Sequence, residues 1–257
     1  MCQECGCATG TGEVHVHDGH HHHHHHGPDP RSIEVVRDLL HANDHAAAHN
    51  RDHMRRHGVV AINLMSSPGA GKTALLEATI DALAPRWRIA VVEGDLETDN
   101  DARRIRAKGV PAVQVTTGQT CHLDAGMVHE ALHQIDLDAV DLLFIENVGN
   151  LVCPAGFDLG QDANVVLLAV TEGDDKPAKY PVMFRAADLV LLSKSDLLAV
   201  LDDFSPERAA ENVRALANGA PVETISAKRP ESLKPWFAWL EARLAAAQAP
   251  IPAEAAE

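Results

Sequence analysis

Apolar residues in this chain form short runs that alternate with longer stretches of helical periodicity. Seven apolar runs have the length and flanking residues typical of β-strands, and they cover residues 59–65, 88–93, 110–116, 140–146, 164–171, 188–193 and 222–226. The runs are nearly continuous, as in parallel strands that helices cover on both faces. Helices are predicted between them over residues 72–83, 99–108, 123–135, 178–187, 206–218 and 231–247. This alternation predicts an α/β fold, doubly wound around a mostly parallel sheet.

The first 57 residues follow a different pattern. Residues 1–30 consist largely of Gly, His, Cys and acidic residues and end in Gly-Pro-Asp-Pro, which predicts a flexible tail closed by a proline-rich linker. Residues 31–57 have helical periodicity, with Ile33, Val36 and Leu40 on one side. The chain is therefore predicted to comprise a tail over 1–30, a helix over 31–57 and the α/β domain over 58–257.

Composition excludes several functional classes. The 257 residues are 46% hydrophobic, which is enough for a large core and argues against disorder. Acidic residues outnumber basic ones 37 to 22, for a net charge of −15, which argues against a nucleic-acid partner. No apolar run reaches the roughly 18–20 residues needed to cross a membrane. The N-terminus lacks the pattern of a signal peptide, so a cytoplasmic location is expected.

A phosphate-binding motif follows the first predicted strand. The segment Ser66–Thr73 matches G-x-x-x-x-G-K-[ST], except that Ser66 replaces the first glycine. Small residues allow successive backbone N–H groups to surround a phosphate, and the helix N-terminus adds its dipole. An ordinary glycine-rich turn is the alternative, but the strand before and the helix after favour a phosphate loop. The predicted nucleotide ligands are Ser67, Gly69, Ala70, Gly71, Lys72 and Thr73, with Lys72 at the β/γ-phosphates and Thr73 on Mg²⁺.

Two later segments favour guanine as the base. Lys194 and Asp196 follow the sixth strand in a segment that resembles the guanine signature N-K-x-D, with Ser193 in place of asparagine. Asp196 can accept hydrogen bonds from N1–H and the 2-amino group of guanine, which adenine lacks; the alkyl stem of Lys194 would lie along the base. After the last strand, a further segment resembles the S-A-K loop of GTPases: Ser226, Ala227 and Lys228. Residues 58–257 are therefore predicted to be a P-loop GTPase domain that binds GTP and GDP.

Acidic residues at strand ends are candidates for the hydrolytic chemistry. Asp95 follows the second strand and is predicted to orient the attacking water or to hold Mg²⁺ through water. Glu146 ends the fourth strand, at the Walker-B position. The predicted catalytic set is Lys72, Asp95 and Glu146, and the predicted magnesium set is Thr73, Asp95 and Glu146. Asp101 is either a helper or a helix cap.

A cysteine–histidine set is predicted at the same edge of the sheet. Cys121 and His122 open the helix after the third strand, and Cys153 follows the fourth. Two thiolates and an imidazole suit Zn²⁺ or Ni²⁺, and the sequence does not choose between them. Three ligands leave the set one short, which suits a labile site or one that a second subunit completes. Buried cysteines and a capping histidine are the alternative.

The tail carries further metal-ligand types. Three thiols lie at Cys2, Cys5 and Cys7, and if Met1 is removed, the Cys2 amine joins them in an N,S₃ set for square-planar Ni²⁺. The tail histidines are predicted to be a reservoir for divalent ions, and their internal position favours a natural tract over an expression tag: His15, His17, His20, His21, His22, His23, His24, His25 and His26. On the first helix, histidines recur every fourth residue, and either metal chelation or plain solvation explains them: His41, His45, His49, His53 and His57.

The chain resembles the HypB family, the GTPase accessory proteins for nickel insertion into [NiFe]-hydrogenase. The resemblance covers nearly all of residues 2–240. It rests on the Cys-x-x-Cys-Gly-Cys start, the histidine tract, and residues 63–73, 93–95, 118–124, 146–154 and 171–181. The histidine series on the first helix is not a hallmark of the family.

The resemblance implies a GTPase of the SIMIBI class that dimerises around nucleotide. Because Cys153 lies only seven residues beyond Glu146, we hypothesise that GTP state is coupled to metal affinity. It implies that Cys121, His122 and Cys153 lie at the subunit interface, and that the tail cysteines are a second, tighter nickel site. The implied partners are a HypA-type nickel chaperone and the [NiFe]-hydrogenase large-subunit precursor. A UreG-like urease-maturation GTPase is an alternative, but its Cys-Pro-His triplet is absent here. A nickel storage protein with a vestigial GTPase is another, which the intact Gly71-Lys72-Thr73 disfavours.

Overall fold

The structure is a computed structural model that describes residues 30–248, with side chains described from residue 38 onward. The seven strands are β1 (Val60–Ser66), β2 (Ile89–Asp95), β3 (Ala112–Thr116), β4 (Leu142–Glu146), β5 (Ala163–Ala169), β6 (Leu189–Ser193) and β7 (Val222–Thr224). The helices are α1 (Pro30–Arg56), α2 (Lys72–Leu83), α3 (Asn100–Ala107), α4 (Ala125–Leu132), α5 (Lys176–Lys179), α6 (Pro181–Arg185), α7 (Pro206–Arg214) and α8 (Lys234–Gln248).

The strands form one sheet in the order β3-β2-β4-β1-β5-β6-β7, and every described strand pair is parallel. Strand β1 is buried along its whole length and lies at the centre, between β4 and β5. The chain leaves β1 towards β2 on one side and later returns to β5 on the other. In such sheets, ligands bind at the carboxyl ends of the strands, near the point where the strand order reverses. The carboxyl end of β1 occupies that position.

Helices pack on both faces of the sheet, as the continuous apolar runs predicted. One apolar cluster joins α2 and α8 to one face around Phe144 and Trp236. A second joins α1 and α4 to the other face around Met54 and Val128. No helix in the described range is both long and apolar enough to span a bilayer.

Three predicted helices differ from those observed. The stretch 178–187 contains two short helices, α5 and α6, because Pro181 has no N–H to continue the first. The helix predicted from residue 123 begins at Ala125, where the Asp124 carboxylate caps the N–H of Met127 at 2.8 Å. Cys121 and His122 therefore lie in the preceding loop and do not open the helix. The helix predicted from residue 231 begins with a 3₁₀ turn, and α8 starts at Lys234.

Helix α1 is fixed to the domain by polar contacts and close packing. Arg51 donates to both carboxylate oxygens of Asp158, at 2.8 and 2.6 Å. Gly160 has φ +91° and comes so close to α1 that a Cβ there would lie 2.6 Å from the Ala47 carbonyl oxygen. Only glycine satisfies both demands at this position. The α1 backbone therefore has a defined place on the sheet, alongside α4.

Candidate nucleotide and metal sites

The phosphate loop joins β1 to α2 at the sheet centre. Gly69 and Gly71 have φ of +75° and +99°, a left-handed conformation that allows the loop to curl. Lys72 opens α2, is buried, and donates from Nζ to the Ser66 hydroxyl at 3.1 Å. Ser66, the departure from the motif, therefore positions the lysine head over the loop. A cavity of about 360 Å³ lies against this loop.

Two buried glutamates face each other beside Thr73. The Thr73 hydroxyl donates to Glu146 Oε1 at 2.9 Å, and Glu93 on β2 lies directly opposite Glu146 in the β2–β4 register. Within the described residues, neither glutamate's Oε2 has a hydrogen-bond partner. Burial raises the pKa of both carboxyls, and the Glu146 charge raises the pKa of Glu93 further. A hydroxyl and unpartnered carboxylate oxygens are the donor set that Mg²⁺ prefers, so these residues fit that ion.

Glu93 is a candidate that the sequence pattern did not single out. Asp95, two residues later, was the residue predicted from this segment. The position of Glu93 depends on the strand register, which cannot be read from one strand alone. One sequence feature could have identified Glu93: it ends an apolar run that predicts a buried strand, as Glu146 also does.

Asp95 also lines the 360 Å³ cavity, and its Oδ1 is engaged locally. Burial acts to raise its pKa, but the backbone N–H groups of Thr98 and Glu97 donate to Oδ1 at 2.8 and 2.9 Å and hold the pKa of Asp95 below its usual value. Asp101 lies on the cavity wall in the first turn of α3 and pairs with Arg104 at 2.9 Å. The N-cap position belongs to Asp99, so Asp101 is not the cap.

A second cavity, of about 250 Å³, lies on the other side of the phosphate loop. It brings together all five residues predicted to contact the base: Lys194, Asp196, Ser226, Ala227 and Lys228. The Ser226 hydroxyl donates to Asp196 Oδ1 at 2.6 Å, which lowers the pKa of Asp196. The carboxylate is therefore held ionised at the cavity wall, where a donor pair on a base could meet it.

The two cavities share Gly71 and Ala74 on their walls, so they lie next to each other across the start of α2. Ser193, which stands where the guanine signature has asparagine, donates from its hydroxyl to the Ala70 carbonyl at 2.7 Å. This bond ties the end of β6 to the phosphate loop. Serine at position 193 therefore connects the segment predicted to bind the base directly to the phosphate loop.

Cys121, His122 and Cys153 converge at the same edge of the sheet. Their ligand atoms all lie within 4.8 Å of one another. The His122 ring is buried and stacks on Phe157 with centroids 3.9 Å apart, and its Nδ1 has no hydrogen-bond partner among the described residues. Burial lowers the pKa of His122, which favours the neutral ring that binds metal. These donors fit a soft or borderline cation such as Ni²⁺ or Zn²⁺.

The loop after β4 connects this cluster to the phosphate loop. Gly149 packs so tightly that a Cβ there would lie 2.7 Å from Pro68 Cα. Asn147 accepts at Oδ1 from the backbone N–H of Leu123 at 3.1 Å, next to His122. The predicted tail ligands, from Cys2 to His26, lie outside the described residues.

These features define a P-loop nucleotide-binding protein: a glycine-rich loop between the first strand and its helix, on a parallel sheet, with acidic side chains at the neighbouring strand ends. Residues 60–223 match the family described as CobW/HypB/UreG, nucleotide-binding domain. The hydrogenase maturation factor HypB of Azotobacter vinelandii is 52% identical over 211 residues, which are 82% of this chain and 69% of that protein. The chain therefore belongs to the HypB family and is a GTPase of that family.

Solved structures agree with this assignment. The crystal structure of HypB from Helicobacter pylori in complex with nickel matches with a TM-score of 0.76 and 43% identity, over 80% of this chain and 96% of that one. The crystal structure of the hydrogenase maturation factor HypB from Archaeoglobus fulgidus matches with a TM-score of 0.75 and 37% identity, over 80% of this chain and 100% of that one. The predicted doubly wound α/β fold is confirmed.

Proposed function

We propose that this protein is a GTP-hydrolysing metallochaperone that binds nickel and supports its insertion into the [NiFe]-hydrogenase large subunit. One observation carries the proposal. The loop over residues 147–153 begins directly after Glu146, packs on the phosphate loop through Gly149, and ends at the metal-ligand candidate Cys153. A change in nucleotide state therefore acts on the segment that holds one of the metal ligands.

The phosphate end of the site performs the hydrolysis. Lys72 binds the β/γ-phosphates, while the backbone N–H groups of the loop surround them. Thr73 and Glu146 would hold Mg²⁺, with Glu93 beside them, and Asp95 would contact the ion through water or orient the attacking water. The ion would supply positive charge against the charge that develops on the phosphates. The burial of Glu93 and Glu146 keeps bulk water away from their carboxyl groups.

The base end selects guanine. Asp196, held ionised by Ser226, accepts from the two adjacent donors of the guanine edge, and Lys194 lies along the ring. Ser226, Ala227 and Lys228 close the opposite wall of the cavity. GTP and GDP are thus the expected nucleotides.

The metal end takes Ni²⁺ as cargo at Cys121, His122 and Cys153, and the same donors also accept Zn²⁺. Because these three ligands leave a coordination position open, a second copy of the chain completes the site in a nucleotide-dependent homodimer. The thiolate ligands require reducing conditions, in line with a cytoplasmic protein.

The tail supplies the metal, in this proposal. Cys2, Cys5 and Cys7 form a tighter nickel site, and the tail histidines hold further ions as a reservoir. A HypA-type nickel chaperone and the large-subunit precursor are the partners for handover. The relatives' role in hydrogenase maturation supports this part of the proposal.

Equilibrium dialysis of Ni²⁺ with GDP and with a non-hydrolysable GTP analogue tests the proposal. The two Ni²⁺ affinities should differ at least about fivefold, the lower range of known coupling between sites. Lys72→Ala should abolish GTP turnover and remove that difference. Equal affinities in both nucleotide states would end the coupling argument, and an absence of turnover in the parent protein would favour nickel storage instead.

A further inference from the structure

Five histidines lie together on the outer face formed by α1 and α4, away from the cysteine cluster. Three come from the periodic series on α1, and two lie at the C-terminal end of α4. Within this group, four rings form a closed circuit, which we call the histidine quartet: His49, His53, His129 and His133.

Two neighbouring centroid pairs of the quartet have the spacing of imidazoles around one ion, and the two pairs that include His53 are wider. Its four neighbouring centroid pairs are 5.0 Å (His49–His129), 4.6 Å (His129–His133), 6.2 Å (His53–His133) and 6.3 Å (His49–His53) apart. Metal–nitrogen bonds of 2.0–2.1 Å would place such centroids roughly 4.5–5.5 Å apart. Small rotations of exposed or half-buried side chains close the difference. The quartet therefore approaches a four-imidazole arrangement, with the His53 ring about 1 Å too far from its two neighbours.

The pair on α4 already has the separation of two ligands on one ion. Nε2 of His129 and Nε2 of His133 are 3.1 Å apart, and two nitrogens on a tetrahedral ion lie roughly 3.3 Å apart. Their i, i+4 spacing places both rings on one helix face. One of these nitrogens donates a hydrogen bond to the other in the free protein, and a divalent cation would replace that contact.

A buried asparagine orients one member of the pair. The Asn50 amide nitrogen donates to the carbonyls of Ala125 and Leu159 at 2.8 and 3.2 Å, so its Oδ1 must face His129 Nδ1, 3.1 Å away. That oxygen accepts a hydrogen bond from Nδ1–H, which leaves Nε2 of a neutral His129 with a free lone pair. Metal-binding histidines commonly have such an outer partner on the second ring nitrogen.

The surroundings also favour a cation. Asn43 contacts the start of α4 at Ala125, whereas His53 lies near its end, so α1 and α4 run in the same direction. The negative dipole ends of both helices therefore point towards the quartet. Nδ1 of His53 is buried without a hydrogen-bond partner among the described residues.

We propose that the histidine quartet is a second metal site of this chain, which binds one Ni²⁺ or Zn²⁺ ion through imidazole nitrogens. It is separate from the cysteine cluster, because Cys121 and His122 precede the first turn of α4 whereas His129 and His133 close its last turn. The proposal does not depend on GTP hydrolysis or on nickel handover. Nor does it need the remaining member of the group, His57, whose Nδ1 lies 2.7 Å from Asp138.

The test uses the full-length chain with the other metal ligands removed by substitution. In this background, all cysteines are replaced by Ser and the tail histidines by Gln. Equilibrium dialysis with NiCl₂ or ZnCl₂ should find one bound equivalent. His129→Gln with His133→Gln should weaken that binding by at least about tenfold. Because His129 is half-buried, a second variant, His49→Gln with His133→Gln, changes only exposed rings and should give the same loss.

His41→Gln with His45→Gln is the matched control, since it removes two exposed histidines from the same helix outside the quartet. The affinity of this control variant for Ni²⁺ or Zn²⁺ should equal that of the background chain. CoCl₂ gives an independent readout, because the background chain should show visible d–d bands without the thiolate charge-transfer band of the cysteine site. An absence of bound metal in the background, or an equal loss in the control and quartet variants, would overturn the proposal.

Discussion

The backbone N–H of Asn150 donates to the carbonyl of Ser66 at 2.8 Å, which joins the loop after β4 to the phosphate loop. The Asn150 side chain extends the connection: Nδ2 donates to the Cys121 carbonyl at 3.3 Å, and Oδ1 accepts from the N–H of Val152 at 2.8 Å. Val152 immediately precedes Cys153. One residue thus contacts the nucleotide segment and both segments that carry a thiol.

Asn150→Ala should weaken the coupling between nucleotide and metal. The substitution keeps the backbone bond to Ser66 but removes both side-chain bonds, so the two thiol segments lose one of their links to the phosphate loop. The ratio of Ni²⁺ affinities with a GTP analogue and with GDP should fall towards one, as measured by equilibrium dialysis. The free energy of unfolding should fall by about 1–2 kcal/mol.

Asn218→Ala is the matched control for this coupling. Asn218 is also half-buried, accepts at Oδ1 from the N–H two residues later, and donates to the Phe184 and Ala187 carbonyls. Asn218→Ala should therefore lower the free energy of unfolding by a similar amount, while the ratio of Ni²⁺ affinities in the two nucleotide states stays as in the parent. An unchanged ratio in Asn150→Ala would show that this side chain does not carry the coupling.

Gly149→Ala should impair GTP hydrolysis. Its Cβ would lie 2.7 Å from Pro68 Cα, and since that atom is backbone, the phosphate loop must shift. A displacement of this kind is expected to lower kcat/KM on the order of 100-fold. Gly156→Ala, in the same connection but with open space around a new Cβ, should leave hydrolysis within about twofold of the parent. Equal turnover in both variants would mean that the loop adapts to the methyl group.

Asp174→Asn should remove a pH-dependent part of the stability. Arg208 Nε and the backbone N–H of Ser205 donate to Asp174 Oδ2 at 2.7 and 2.9 Å, and the Arg208 bond lowers the pKa of Asp174 below its usual 3.8. A lowered carboxyl pKa stabilises the fold above the usual value, and this contribution disappears as pH falls through the folded pKa. Urea unfolding should show a loss of about 1–2 kcal/mol at pH 7 that vanishes in strong acid.

Asp175→Asn is the comparison for that change. Asp175 pairs with Lys179 in an exposed ion pair, which contributes little. The free energy of unfolding of Asp175→Asn should stay within about 0.5 kcal/mol of that of the parent at pH 7. A pH-independent loss in Asp174→Asn would point to packing as the cause.

The features predicted correctly from the sequence are those that consecutive residues determine. The phosphate loop needs only Gly69, Gly71 and Lys72 between a strand and a helix, and all three lie within four consecutive residues. The base and cysteine segments were predicted to converge because parallel strands place their carboxyl ends at one edge. The cluster of Cys121 and Cys153 follows from that topology alone.

The features that escaped prediction depend on register and packing. Glu93 faces Glu146 because β2 and β4 pair in one particular register. His129 and His133 join the α1 histidines because two helices far apart in sequence pack side by side. Neither relationship leaves a periodic signal in the chain.

In the absence of Mg²⁺, the two buried glutamates should make the stability of the fold depend on pH. Burial and the neighbouring Glu146 raise the pKa of Glu93, so the folded chain loses stability as pH rises above the usual 4.5. Glu93→Gln removes that cost. At pH 8 with chelator, its Tm should rise by about 2–4 °C, the change expected for 1 kcal/mol in a domain of this size, and the gain should shrink towards pH 5. Mg²⁺–GTP should then stabilise the variant less than the parent. Asp101→Asn removes a charge that also raises the pKa of Glu93, but less than Glu146 does, so it should raise the Tm less than Glu93→Gln. A lower Tm for Glu93→Gln at pH 8 would contradict the pairing argument.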